Sequence, residues 1–206
     1  MSYTDFTIEI LRKSFGLSVR EQVLGETIGC VELSPWLQET LDNSKGLALV
    51  SEKARSEFIV VPMLMACREI LHRSFQIFSG IRLDVDPERG LKGECDFILA
   101  KTPPSPALQS PLVVILEAKK NDIEEGLGQC AAQMLAARIY NERDGQKVST
   151  MHGCVTTGEA WQFLQLRDTN LMIDAKRYYI IEAGKILWML TKIIEGSPEK
   201  KASDAA

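Results

Sequence analysis

Residues 111–120, Pro-Leu-Val-Val-Ile-Leu-Glu-Ala-Lys-Lys, decide the reading of this chain. Val113, Ile115, Glu117 and Lys119 alternate onto one face of an extended segment, and Leu112, Val114, Leu116 and Ala118 onto the other. A strand apolar on both faces is one that is covered on both faces. Such a strand cannot end in a carboxylate and an ammonium on the same side unless the two are paired, hold a metal or open to a cleft. Glu117 and Lys119 are therefore the first functional candidates.

Working upstream, Ile81-Arg82-Leu83-Asp84-Val85 alternates strictly, Pro87-Glu88-Arg89-Gly90 turns, and 94–100 (ECDFILA) returns, which predicts a hairpin. Asp96 shares a face with Ile98, a second carboxylate on an apolar strand. Ser51 caps a predicted helix from Glu52 to His72 that Pro62 should kink. Ala54, Phe58, Val61 and Met65 form one apolar stripe on it and Ile59, Met63 and Ile70 another nearly opposite, so burial on two sides is expected. Downstream, Asn121-Asp122 caps a helix over 123–140 whose small residues suit packing on a sheet. Gln129 and Gln133 share one face of it, either as an exposed stripe or beside the strand end.

Residues 148–156 and 161–166 read as further strands joined at Thr157-Gly158-Glu159. A last strand is expected at 178–181 and a closing helix at 185–194. In the front third, 3–10 alternates like a half-buried strand, and Ser34-Pro35 opens a short helix through Leu41. The expected organisation is an N-terminal extension (1–50) packed on an α/β core (51–196) and a disordered tail (197–206).

At 206 residues, 45% hydrophobic and 25% charged, the composition is that of a globular domain of ordinary size. No apolar run approaches the roughly 18 residues a membrane helix needs, so no membrane association and a cytoplasmic location are expected. The five cysteines are scattered and odd in number, which suggests neither disulfides nor a zinc knuckle. His72 and His152 lack ligand spacing. The net charge of −4 gives no overall footprint for nucleic acid, although a local basic groove could still bind it. There is no phosphate-binding glycine fingerprint to suggest a nucleotide-binding α/β domain.

The order helix, strand, strand, strand, helix, strand, with Asp96 on the second strand and Glu117-Ala118-Lys119 on the third, resembles the PD-(D/E)XK nuclease superfamily. Its fold is the restriction-endonuclease-like αβββαβ core, a mixed central sheet flanked by helices. Ser51-Glu52 followed by Arg55, Ile59, Pro62 and Leu64 is similar to the first core helix of such domains, where a glutamate approaches the metal. Gln129 and Gln133 resemble the glutamine that RecB-like members place beside the site. Cys95 stands where many members have proline.

The resemblance implies an endonuclease, a hydrolase of DNA phosphodiesters that uses Mg²⁺ or Mn²⁺. Asp96, Glu117 and the Ala118 carbonyl would supply oxygen ligands, and Lys119 would act on the attacking water and the transition-state charge. Glu52 and Gln133 complete the expected catalytic set. Glu57 is the alternative acid, since motif position favours Glu52 while apolar periodicity puts Glu57 beside the buried stripe. Arg55, Lys120 and Arg138 are expected to line the DNA groove, and a homodimer would serve cleavage of both strands. The competing expectation is a nuclease-fold module that binds nucleic acid or protein without cutting.

Overall fold

The computed structural model describes residues 1–25 and 28–196; the tail expected over 197–206 lies outside them. The chain begins with a 3-10 turn (Tyr3–Asp5), α1 (Ile8–Phe15), β1 (Ser18–Gln22) and α2 (Pro35–Ser44). A long helix follows in three parts, α3 (Glu52–Arg55), a π turn (Ser56–Val60) and α4 (Val61–Ile70). Then come β2 (Gln76–Arg82), β3 (Glu94–Ala100), β4 (Leu112–Ala118), α5 (Glu124–Arg143), β5 (Met151–Thr156) and β6 (Ala160–Arg167). The last elements are β7 (Asn170–Asp174), β8 (Tyr178–Tyr179), a 3-10 turn (Ile180–Glu182) and α6 (Ala183–Glu195).

The described strands form one mixed eight-stranded sheet in the order β1-β7-β6-β5-β4-β3-β2, with β8 paired to β6. Every residue of β4 is buried, as a strand apolar on both faces requires. It runs antiparallel to β3 and parallel to β5, and α5 makes the crossover between β4 and β5. α5 and α1 cover one face of the sheet, while α2, α4 and α6 pack over the other. Among the described residues no helix is long and apolar enough to cross a membrane.

The two faces of β4 are not assigned as strict alternation predicts. Leu99 pairs with Val114 but Ala100 with Leu112, so Val113 is an extra residue in the ladder. Leu112 and Ile115 consequently face the α5 layer, and Val113 joins Val114 and Leu116 in the opposite core. The bulge leaves the parity of the C-terminal half intact. Ile115 and Glu117 remain on the α5 side, where Asp96 also falls with Ile98.

The first ten residues are helical turns, not the strand their alternation suggested. Thr7 caps α1 by accepting the Ile10 N–H (3.2 Å), Glu9 stands in the first turn, and Gly16 closes the helix at φ 66°. Just before Pro62, where a kink is expected, the helix passes through the π turn, in which the Val61 N–H reaches the Ser56 carbonyl one residue further back than usual. Of the two stripes on this helix, Ile59 and Met63 are buried. Phe58, Val61 and Met65 are 43%, 36% and 40% exposed, contrary to the expectation of burial on both sides.

Candidate functional site

The site lies where β3 and β4 part. The ladder between them pairs Phe97 with Leu116 and stops there. Beyond that point the Asp96 carboxylate substitutes for backbone, accepting the Ala118 N–H through Oδ2 (2.7 Å). In an extended strand the N–H and C=O of one residue point to the same side, so the Ala118 carbonyl also faces the β3 edge. Lys119 turns the other way, its N–H donating to Thr156 of β5 (2.8 Å).

Glu117 is 1% exposed. Its Oε1 accepts from Lys119 Nζ (2.8 Å) and its Oε2 from Gln133 Nε2 (2.9 Å). Lys119 Nζ also donates to Gln129 Oε1 (2.9 Å). Both glutamines are buried, so they form no exposed stripe; one turn apart on α5, they clamp the acid and the ammonium from above. Gln133 Nε2 reaches the Glu94 carbonyl as well (3.3 Å), while its buried Oε1 meets no partner among the described residues.

This clamp depends on Gly126. A Cβ there would lie 2.5 Å from Val155 Cγ1 and 3.1 Å from Lys119 Cγ. Only a glycine lets the first turn of α5 sit on the lysine stem. Asp122 sets the start of that turn by accepting the Glu124 N–H (2.9 Å). Gly126 carries no chemistry of its own, and nothing in its local sequence distinguishes it from a helix-weakening residue.

The electrostatics are those of a crowded acidic corner. Burial and the neighbouring Asp96 push the Glu117 carboxyl up to about 7, against the pull of Lys119 and Gln133. Burial likewise raises Asp96, which the Ala118 N–H and Lys119 partly offset, and a protonated Glu117 would hydrogen-bond to it. Burial alone would lower the Lys119 ammonium, but Glu117, then Glu52 and Asp96, hold it above the usual lysine range. Glu52 is raised by its own partial burial while feeling Lys119 and Asp96, so it belongs to the same corner.

The helix glutamate that interacts with Lys119 and Asp96 is Glu52, while Glu57 is half exposed with its carboxylate 3.8 Å from Lys53. Arg55, expected in a DNA groove, is instead a structural tie. It donates to the Leu49 carbonyl (3.0 Å) and the Thr157 carbonyl (2.9 Å) and pairs with Glu159 (3.3 Å). Arg138 is similarly engaged with the Asp168 carbonyl and Glu142. Trp161 is fully buried with its Nε1–H on the Gly158 carbonyl (3.0 Å), a packing role at the hairpin turn.

As a set of donors, Asp96, Glu117 and the Ala118 carbonyl offer only oxygen, and two mutually repelling carboxylates, one partly and one fully buried, gain from a hard divalent cation. The donor chemistry fits such an ion. Among the described residues, however, no group of three or more acidic, histidine or cysteine side chains is gathered closely enough to hold one by side chains alone. No model of a known protein family matches the chain, and no curated protein matches it.

Proposed function

We propose that this protein is a metal-dependent nuclease of restriction-endonuclease-like fold, hydrolysing phosphodiester bonds in DNA. The observation that carries the reading is the convergence of Asp96, Glu117 and Lys119 at one strand end, with Lys119 Nζ 2.8 Å from Glu117 Oε1. The run α3–α4, β2, β3, β4, α5, β5 supports it, since it follows the element order expected of such a core.

Asp96, Glu117 and the Ala118 carbonyl would hold Mg²⁺ or Mn²⁺, which when bound polarises the scissile phosphate and acidifies a water. Lys119 keeps its proton at Nζ, because three carboxylates stabilise the ammonium. It therefore contributes positive charge toward the pentavalent phosphorus centre. Gln129 fixes where that charge points, and Gln133 fixes the Glu117 rotamer. Glu52, at the start of α3 and in electrostatic contact with Lys119 and Asp96, would orient a water.

The rival reading is a module of the same fold that binds nucleic acid or protein without cutting. One observation favours it: both Glu117 oxygens already have protein partners, so an ion would have to share the carboxylate with Lys119 and Gln133. A cleavage assay on single- and double-stranded DNA in Mg²⁺ and Mn²⁺, run beside a binding titration in chelator at two salt concentrations, separates the two. Lys119→Ala should lower cleavage by about 10³-fold, the scale of losing one transition-state contact, and leave binding within about twofold. DNA binding by the wild type without cleavage in either metal would establish the rival. Cleavage by Lys119→Ala at the wild-type rate would remove Lys119 from the mechanism.

A further inference from the structure

Of the three cations expected to meet DNA, Arg55 and Arg138 are tied to protein, and only Lys120 is exposed without an ion pair among the described residues. A polyanion is held by several such contacts, not one. Strand direction shows where others stand. β5 runs parallel to β4, and β6 and β7 then reverse direction in turn, so β4, β5 and β7 all end on one edge of the sheet. Lys119 and Lys120 follow β4 there, and Lys176 and Arg177 follow β7. It is outside the carboxyl ends of such strands that open α/β sheets bind their ligands.

At that edge Lys176, Arg177 and Lys185 line a cleft of about 450 Å³ whose one lining carboxylate is Glu182. Lys176 is exposed and makes no ion pair among the described residues. Arg177 gives one donor to Glu124 and Lys185 one to Glu182, in pairs open to solvent, so both keep donors for a further acceptor. The loop is held in place before any ligand arrives. The wholly buried Asp174 accepts the Lys176 N–H (3.0 Å) and the Tyr178 hydroxyl (3.1 Å). Glu124, the partner of Arg177, lies in the first turn of α5, the turn that Gly126 seats on the Lys119 stem. One ion pair thus joins the basic cleft to the helix that covers the acidic corner.

We propose that this cleft holds backbone phosphates of the DNA strand cut at the acidic corner, with Lys176, Arg177 and Lys185 as the contacts. Its role rests on the reading of that corner as a nuclease site. β7 stands three strand positions from β4, which puts the cleft about 14 Å along the edge from Lys119, or about four phosphates of one strand.

The test is fluorescence anisotropy of labelled single- and double-stranded DNA of about 20 nucleotides, long enough to span that distance, titrated with the full chain in chelator over a salt series. Lys176→Gln and Lys185→Gln together should weaken binding by about tenfold at about 0.1 M salt. They should also flatten the plot of log affinity against log salt by about 1.4 for single strands and about 1.8 for duplex, the loss of two phosphate contacts. Circular dichroism and melting temperature should stay at wild-type values, because both side chains reach solvent. Lys147→Gln, exposed before β5 at the opposite end of the sheet, should leave affinity and slope unchanged. In Mn²⁺ the double variant should raise KM for cleavage and keep kcat within about twofold, since it removes uniform binding. Wild-type affinity and slope in the double variant would overturn the cleft and leave the nuclease reading intact. Weakened binding by that variant, beside a wild type that cuts in neither Mg²⁺ nor Mn²⁺, would support the cleft and remove the nuclease. A wild type that binds no DNA would overturn both.

Discussion

Asp96 and Glu117 face each other across two neighbouring strands, and their shared environment makes each ionised carboxylate costly. A folded-state Glu117 value of about 7, against about 4.5 in the unfolded chain, means that the folded protein binds more protons between those values. Stability contributed by this group is therefore present at low pH and is lost as pH rises through 7. Asp96→Asn removes one charge and keeps an oxygen to accept the Ala118 N–H. In chelator it should stabilise the protein by about 1–3 kcal/mol at pH 8 and by much less at pH 5. Thermal melts at the two pH values check the sign. Mn²⁺ bound at the proposed site should raise the wild-type melting temperature, and the same variant should lose that rise; an undiminished rise would place the ion elsewhere. This corner was legible in the sequence because charge on an apolar strand is anomalous. The glutamines were only half legible, since a polar pair at helical spacing reads equally as surface until the partner across the sheet is known.

At the level of elements, legibility followed how much of each strand or helix is buried. β4, with both faces covered, announced itself, whereas β1 (SVREQ) is an edge strand exposed along most of its length and carries no apolar pattern. β7, Asn170–Asp174, was missed because the turn before it depends on Asp168 at φ 50°, not on a glycine. The N-terminal alternation misled because Phe6, Ile8 and Ile10 fall two apart by chance, whereas the residues buried through turns and helix, Tyr3, Phe6 and Leu11, are three and five apart. What receives them is α5. A Cβ at Gly128 would lie 2.2 Å from the Phe6 carbonyl oxygen and 2.7 Å from Thr7 Cα, both backbone atoms that cannot swing aside. Gly128→Ala thus sets a helix-propensity gain of up to about 1 kcal/mol against displacement of the whole N-terminal segment. Overpacking of this kind costs about 1–3 kcal/mol or more, so the variant should be destabilised. Urea denaturation decides it: a midpoint at or above the wild-type value would mean that the segment rests only loosely on α5.

Across the whole molecule, the front fifty residues build into both layers. The Tyr3 N–H bonds to the Lys92 carbonyl (3.1 Å), its buried hydroxyl donates to the Leu83 carbonyl, and Phe6, Leu11 and Leu17 enter the core under α5. β1 extends the sheet by pairing parallel to β7 from Ser18 to Gln22. On the other side, α2 lays Leu37 and Leu41 against the π turn and α4. Removing residues 1–22 would withdraw four buried side chains worth about 1.5–3 kcal/mol each and leave β7 as a new sheet edge. The loss, about 6–12 kcal/mol, is comparable with the whole stability of about 5–15 kcal/mol expected for a domain. The truncated chain should therefore be insoluble or unfolded by circular dichroism and hydrogen exchange at 25 °C. A soluble truncated protein with a cooperative melt within a few degrees of wild type would show instead that residues 23–196 fold alone and that the front segment is an attachment. The acidic corner offers a second readout. Because α5 holds Gln129 and Gln133 over Lys119 and Glu117, loosening the layer beneath the N-terminal segment should also reduce the Mn²⁺-dependent rise in melting temperature in any fraction that remains folded.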